Sequence, residues 1–171
     1  LCKKRLNPGG VVTQWVPLYE SRMDVVKSEV ATFFLAFPNG TIWGNQDEGY
    51  GYDVVLLGKE RAMTIDVDAL QQRLDREDHA GVRASLNEVY LGSALDLLSI
   101  YAGQATGLDK WLVDAEINLD RNMRLQYLAG LGLNSYQADE IYTSLLGHAR
   151  YPTNLFVATE GTEVALRNHI S

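Results

Sequence analysis

The segment from Asn7 to Pro17 limits the fold more than any other part of the sequence, because a tight turn there leads straight into an apolar strand. In Asn7-Pro8-Gly9-Gly10 the proline fixes φ and the glycines permit positive φ, which is typical of a chain reversal. Residues 11–16 are mostly β-branched or aromatic and predict a buried strand. Pro17 ends this strand, because proline lacks the amide hydrogen that a sheet requires.

A helix and two further strands are predicted between Ser21 and Gly58. Ser21 and Asp24 have the spacing of a capping box. Apolar residues then recur at helical spacing until Pro38 stops the helix, at Val26, Val30, Phe33 and Phe37. Residues 41–43 and 53–57 predict strands. The loop between them, residues 44–51, is too short for a crossover helix, so these strands are expected to pair antiparallel.

Residues 61–171 predict helices only. Their candidate capping residues are Asp66, the pairs Ser93–Asp96 and Thr106–Asp109, Asp120 and Ser135. The sequence therefore predicts an α/β fold in two domains. Residues 1–60 form the end of a sheet, as a strand, a helix and an antiparallel strand pair, and residues 61–171 form an all-helical region.

Composition and charge exclude several classes of protein. With 46% hydrophobic and 22% charged residues, the chain is typical of a soluble globular protein and not of a disordered one. Its single cysteine, Cys2, forms no internal disulfide and fits a cytoplasmic location. No apolar run approaches the roughly 18 residues that a membrane span requires. The net charge of -7, with Lys3-Lys4-Arg5 as the only basic run, argues against a nucleic-acid partner and is compatible with a cationic one.

Polar and aromatic residues at the end of the first strand are the best-placed binding-site candidates. In open α/β sheets the ligand crevice lies outside the carboxyl ends of the strands. The candidates are Gln14, Trp15, Tyr19 and Glu20, with Tyr50 and Tyr52, which flank Gly51 just before the last predicted strand. Packing in the core or at its rim is the alternative role for the aromatic residues. The histidines lack metal-ligand spacing, so no metal site is assigned.

The run from Pro8 to Tyr19 also carries a family resemblance. Together with Phe37-Pro38, Trp43-Gly44 and the run from Tyr52 to Gly58, it resembles the late core of spermidine synthase-like proteins, the polyamine aminopropyltransferases. These proteins have a class I methyltransferase-like, Rossmann-like fold, in which residues 6–60 would be the fifth strand, the last large helix and the closing sixth and seventh strands. The likeness extends to bacterial members in which a membrane part precedes the synthase-like domain, which implies a membrane-anchored parent, although this segment itself does not insert into the membrane.

A second part of the resemblance lies at residues 115–120. Asn118-Leu119-Asp120 resembles the family's Asn-Thr-Asp segment, and Gln126-Tyr127 stands where the family has Glu-Tyr. Leu119 and Gln126 replace polar and acidic family residues. The alternative for Asn118 and Asp120 is a helix cap and a local turn.

The resemblance implies transfer of an aminopropyl group from decarboxylated S-adenosylmethionine to a polyamine. The family's Gly-rich cofactor loop, ribose-binding acidic residue and catalytic Asp pair all precede the turn at Pro8 and are not in this sequence. We therefore expect a C-terminal piece that has no catalytic residue or cofactor of its own. Such a piece is inactive alone and supplies at most one wall of the polyamine pocket.

Two other hypotheses stay open at this point. The helices after residue 60 form a non-catalytic interaction module, or the parent is a pseudoenzyme that has lost the Asp pair. A sheet end exposes strand edges and apolar surface, which promotes association, so we expect a homo-oligomer.

Overall fold

The computed structural model describes residues 2–47, 50–132 and 135–170, and it has a mixed α/β fold. In chain order the described elements are β1 (Val11–Pro17), α1 (Met23–Ala36), β2 (Thr41–Asp47), β3 (Tyr50–Lys59), β4 (Ile65–Asp66), α2 (Val67–Leu74), α3 (Ala80–Glu88), α4 (Ala94–Ser99), β5 (Tyr101–Gln104), α5 (Arg124–Ala129), α6 (Ala138–His148), β6 (Phe156–Val157) and α7 (Glu160–Ile170). The chain divides into two units. The first joins residues 1–62 to 102–150, and the second joins residues 63–101 to 151–171.

The main sheet has the strand order β1-β3-β2-β5. β3 runs antiparallel to both of its neighbours, with Lys59 opposite Val11 in β1 and Leu57 opposite Thr41 in β2. β1 and β2 are therefore parallel to each other, and α1 connects them along the chain. The predicted antiparallel pairing of the last two strands is confirmed. These strands also extend into the predicted loop, to Asp47 and from Tyr50.

One face of this sheet carries the core of the first unit. Four of its strand residues are fully buried: Val16, Ile42, Val54 and Leu56. Glycines let aromatic rings lie directly on this face, because a Cβ at Gly58 would come within 2.6 Å of the Phe37 ring, and Cβ atoms at Gly44 and Gly51 would overlap Tyr142. α1 and α6 thus cover one side of the sheet.

The turn before β1 is present as predicted. The Gly10 amide donates to the Asn7 carbonyl at 2.8 Å, and Gly9 has a φ of 78°, as in a type II turn with proline at its second position. The predicted cap of α1 is wrong. The helix begins at Met23 after Arg22, and Asp24 is engaged by the Arg22 guanidinium at 3.1 Å rather than by Ser21.

Helix α1 is tied to a distant extended segment. The fully buried Ser28 hydroxyl donates to the Glu116 carbonyl at 2.6 Å, and the Thr32 hydroxyl accepts from the Asn118 amide at 2.8 Å. Since Ser28 and Thr32 are one turn apart, they fix this segment along one side of the helix.

The second unit contains short strands as well as helices. β4 and β6 pair in parallel, with Ile65 opposite Phe156. Two helix starts are as predicted: Asp66 caps α2 by accepting from the Ala69 amide, and Ser93 and Asp96 form a capping box at α4.

The prediction of an all-helical region after residue 60 is wrong, since β4, β5 and β6 lie in it. β4 and β6 have two residues each and β5 has four, which is too short for an alternation of apolar and polar residues to mark them in the sequence. The helix predicted at Thr106–Asp109 is also absent, because residues 105–107 form a 3₁₀ turn. α5 begins after Met123 and α6 after Gln137, so neither Asp120 nor Ser135 is a cap.

The chain after residue 60 also does not form one region. Leu108, Trp111, Ile141 and Leu145 are buried in the core of the first unit. Helical spacing shows that a face is buried, but not which surface it packs on.

Among the described residues, no helix combines the length and the apolar character that crossing a bilayer requires.

Candidate functional site

Three aromatic rings lie together at the carboxyl end of β1. The Tyr19 and Tyr52 rings are stacked with their centroids 4.6 Å apart, and the Trp15 ring is tilted against Tyr19 at 6.1 Å. The Trp15 and Tyr52 side chains are exposed over 52% and 43% of their surfaces. These rings therefore present open faces to a ligand instead of filling the core.

A carboxylate completes this group. Asp53, the second residue of the Tyr52-Asp53 pair on β3, accepts a hydrogen bond from the Trp15 indole nitrogen at 2.7 Å. The strand register explains the contact, because Trp15 lies opposite Val55 and Asp53 is two residues away on the same face. We refer to Trp15, Tyr19, Tyr52 and Asp53 as the aromatic–acid cluster.

Negative charge surrounds the Tyr19 ring. The pKa of Tyr19 is raised above its usual value. The largest cause is desolvation, the next is the neighbouring Tyr52, and the carboxylates of Asp53 and Glu20 add to the shift. Glu20 itself has a φ of 50°, in the left-handed region that non-glycine residues rarely adopt. A non-glycine residue keeps this strained conformation only where the surrounding structure holds it, so the backbone is fixed just after β1 ends.

Gln14 does not belong to the cluster. Successive strand residues point to opposite faces, so Gln14 projects toward α1, where its amide donates to Glu29 at 2.6 Å. Burial raises the pKa of Glu29, and the hydrogen bond from Gln14 acts in the opposite direction. The sequence grouped Gln14 with Trp15, and the sheet separates them.

The remaining predicted residues lie elsewhere. Tyr50 begins β3, but its side chain lies outside the described part of the structure. Asn118 accepts a hydrogen bond from the Leu125 amide at 2.9 Å, which supports the start of α5, and Asp120 is exposed. The turn of Pro8, Gly9 and Gly10 stands at the opposite end of β1 from the aromatic–acid cluster.

Sequence reasoning missed two residues of this architecture. The sequence predicts Asp53 only as the first residue of a strand, and its position directly after the candidate Tyr52 is the signal that could have found it. Asn122, which accepts from the Leu119 amide at 2.7 Å, organises the turn that Asp120 was expected to start.

The cluster has the chemistry of a site for an organic cation. An ammonium group is attracted to the faces of tryptophan and tyrosine rings, and a nearby carboxylate supplies the opposite charge. A metal ion is a poorer match, because one carboxylate and three rings offer too few ligands. In the ranges that the structure describes, no group of three or more potential metal ligands occurs.

Comparisons with protein-family models, with curated proteins and with solved structures find no match to this chain. The resemblance to spermidine synthase-like proteins therefore stays a prediction.

Proposed function

We propose that this chain is the C-terminal part of a spermidine synthase-like aminopropyltransferase, and that its aromatic–acid cluster forms one wall of the polyamine pocket. The observation that carries the proposal is the position of the cluster. It lies at the carboxyl end of β1, where an open α/β sheet binds its ligand, and its rings and carboxylate suit an ammonium group.

The strand order supports the same proposal. The resemblance makes β1, β2 and β3 the fifth, sixth and seventh strands of a methyltransferase-like sheet. In such folds the last strand is antiparallel and lies between the two before it. β3 lies between the parallel strands β1 and β2 in this way.

The free edge of β1 also supports a larger sheet. β1 pairs with β3 on one side and stands at the end of the strand order. Before Pro17 it carries no proline or charged residue that would block pairing, and Val11 and Trp15 are exposed on it. An unprotected edge of this kind is typical of a strand that receives a further partner.

The residues of this chain do not by themselves fit decarboxylated S-adenosylmethionine. The glycine-rich turn at Pro8 leads into a strand and not from a strand into a helix, and the aromatic–acid cluster lies at the other end of β1. We therefore assign only binding and orientation of the amine to this chain. Asp53 neutralises the ammonium group, and the rings of Trp15, Tyr19 and Tyr52 hold the carbon chain.

Replacing Asp53 by asparagine tests this assignment. Asparagine keeps an acceptor for the Trp15 indole and removes the charge, so we expect the fold to persist and spermidine to bind at least about tenfold more weakly, a loss of roughly 1.4 kcal/mol. Binding is measured by calorimetry and by the shift of the Trp15 indole proton in NMR spectra. Asp109→Asn, an exposed site in the same unit, is the control for net charge.

A second variant separates the rings from the carboxylate. Tyr52→Leu keeps apolar volume and removes one π face, so we expect a weaker affinity by about 0.5–2 kcal/mol. Equal spermidine affinity in the native chain and in Asp53→Asn would contradict the proposal, as would a Trp15 indole signal that spermidine does not move.

Helix α3 favours a second candidate function, that of a homo-oligomeric interaction module. None of its residues is buried, and Val82, Val89 and Tyr90 are exposed in or just after it. Apolar side chains grouped on an unpacked helix are typical of a contact surface. Light scattering is expected to give at least twice the chain mass of 19.0 kDa. The double variant Val82→Ser and Val89→Ser is expected to restore the monomer. A monodisperse native monomer would remove this candidate.

A further inference from the structure

The main sheet separates positive from negative charge along its strands. The aromatic–acid cluster and Glu20 lie where β1 ends. Near the opposite end, where β1 begins and β3 ends, are five of the 15 lysines and arginines: Lys3, Lys4, Arg5, Lys59 and Arg61. Glu60 is the one acidic residue in the same stretches, 2–10 and 59–62. In a chain with a net charge of -7, this basic end is a local exception.

A cavity of about 350 Å³ opens at this basic end. The turn residues Pro8, Gly9 and Gly10 form one side, and residues 59–62 form the other. The pairing of Val11 with Lys59 holds the two sides together. We refer to this space as the turn cavity.

The cations of the turn cavity are available for a ligand. Within the described ranges, neither Lys59 nor Arg61 has an ion-pair partner, whereas Arg22, Lys27 and Arg124 of the same unit each contact a carboxylate. Glu60 also lines the cavity and lowers its net positive charge, but its side chain is exposed to solvent.

The turn backbone adds to this environment. Gly9 has a φ of 78°, and apart from its two chain neighbours no residue comes within 4 Å of the position that a Cβ would take there. A ligand can therefore approach the main chain of the turn closely. The Gly10 amide is used by its hydrogen bond to the Asn7 carbonyl, so the Gly9 amide is the donor that the two glycines of the turn offer to an anion.

We propose that the turn cavity binds the phosphate group of a small phosphorylated molecule. An arginine offers a planar fork of donors and a lysine a compact charge, which together match the oxygens of a phosphate. The volume of the cavity lies at the lower end of the range for small-molecule sites. Because a cavity encloses its ligand, it suits a small phosphate ester better than a flat lipid surface. β1 separates this site from the aromatic–acid cluster by roughly 20 Å.

Titration of the full chain with inorganic phosphate at low ionic strength tests the proposal. We expect saturable NMR shifts at the Gly9 and Gly10 amides, with half-saturation near 1 mM, which corresponds to about -4 kcal/mol. The double variant Lys59→Gln and Arg61→Gln is expected to weaken phosphate binding at least tenfold. The double variant Lys110→Gln and Arg73→Gln removes two exposed cations that do not line the cavity, so it is the charge-matched control and leaves the affinity unchanged.

Three results would overturn the proposal. The first is an absence of saturable shifts at Gly9 and Gly10 up to about ten times the expected half-saturation. The second is equal phosphate affinity in the double variant, with its fold verified by circular dichroism. The third is an equal response to chloride at matched ionic strength, because simple screening acts on all exposed charges.

Vesicles distinguish a free phosphate ester from a lipid headgroup. Phosphatidylglycerol vesicles, compared with phosphatidylcholine vesicles, are expected to bind no more than weakly. The opposite outcome is strong binding to these vesicles that is lost in the triple variant Lys3→Gln, Lys4→Gln and Arg5→Gln, together with no response to inorganic phosphate. That outcome would assign the basic end to a membrane surface and refute the turn cavity as a phosphate site.

Discussion

Gly51→Ala is expected to lower the free energy of unfolding by about 3 kcal/mol, at the upper end of the usual cost of overpacking a core. A Cβ at Gly51 would overlap both Cβ and Cγ of Tyr142. No rotation of the Tyr142 side chain moves its own Cβ, so the added methyl group forces α6 away from β3. Denaturant unfolding followed by circular dichroism measures the loss.

Gly44→Ala is the matched comparison, because its added Cβ would overlap only the far end of the same ring, at the hydroxyl. We expect Tyr142→Leu to relieve the strain at Gly44 but not at Gly51. Gly81→Ala, an exposed helical site with open space around it, should instead stabilise the chain by about 0.4–1 kcal/mol. Equal stability of Gly51→Ala and the native chain would show that α6 does not lie on β3 in this way.

Local signals account for the parts of the fold that the sequence predicted. The proline and glycine at positions 8 and 9 fix the turn, and the β-branched run after them forms β1. Asp66 and Ser93 cap their helices because each needs only an amide two or three residues ahead. Ser21 has the same spacing and fails, since its side chain is buried and Asp24 is held by Arg22.

The candidate site could be predicted only in part. The sequence predicts Trp15 and Tyr19 as site residues because they lie at the end of an apolar strand. The period of a strand, which was readable from the sequence, separates Gln14 from Trp15. Tyr52 and Asp53 join the cluster only through the register of β3 against β1, which depends on contacts between residues 38 positions apart.

The division of the chain was the least predictable feature. The periodic apolar residues after position 60 all indicate helices, yet residues 102–150 pack in the first unit and residues 151–171 in the second. Trp111 shows why this division could not be predicted. Its sequence neighbours suggest a short amphipathic helix, but in the structure the indole contacts Ser144 and Lys27. Such partners are separated by dozens of residues, and no local pattern encodes them.

Trp111→Ala is expected to destabilise the first unit by about 3–5 kcal/mol, as for other large buried side chains. The indole is only 2% exposed, donates to the Ser144 hydroxyl at 3.1 Å and lies under the Lys27 ammonium group. Because the ring belongs to the core of the sheet, hydrogen exchange should accelerate in β1 and β3 as well as near residue 111.

Two controls make this result specific. Val113→Ala removes a neighbouring side chain that is 83% exposed and should change stability by less than about 0.5 kcal/mol. Leu166→Ala empties a fully buried position of the second unit, so its faster exchange should appear first in residues 63–101 and 151–170. The prediction is wrong if hydrogen exchange in the Trp111→Ala variant accelerates only within residues 105–115 and stays unchanged in β1 and β3. Trp111 would then lie outside the core of the sheet.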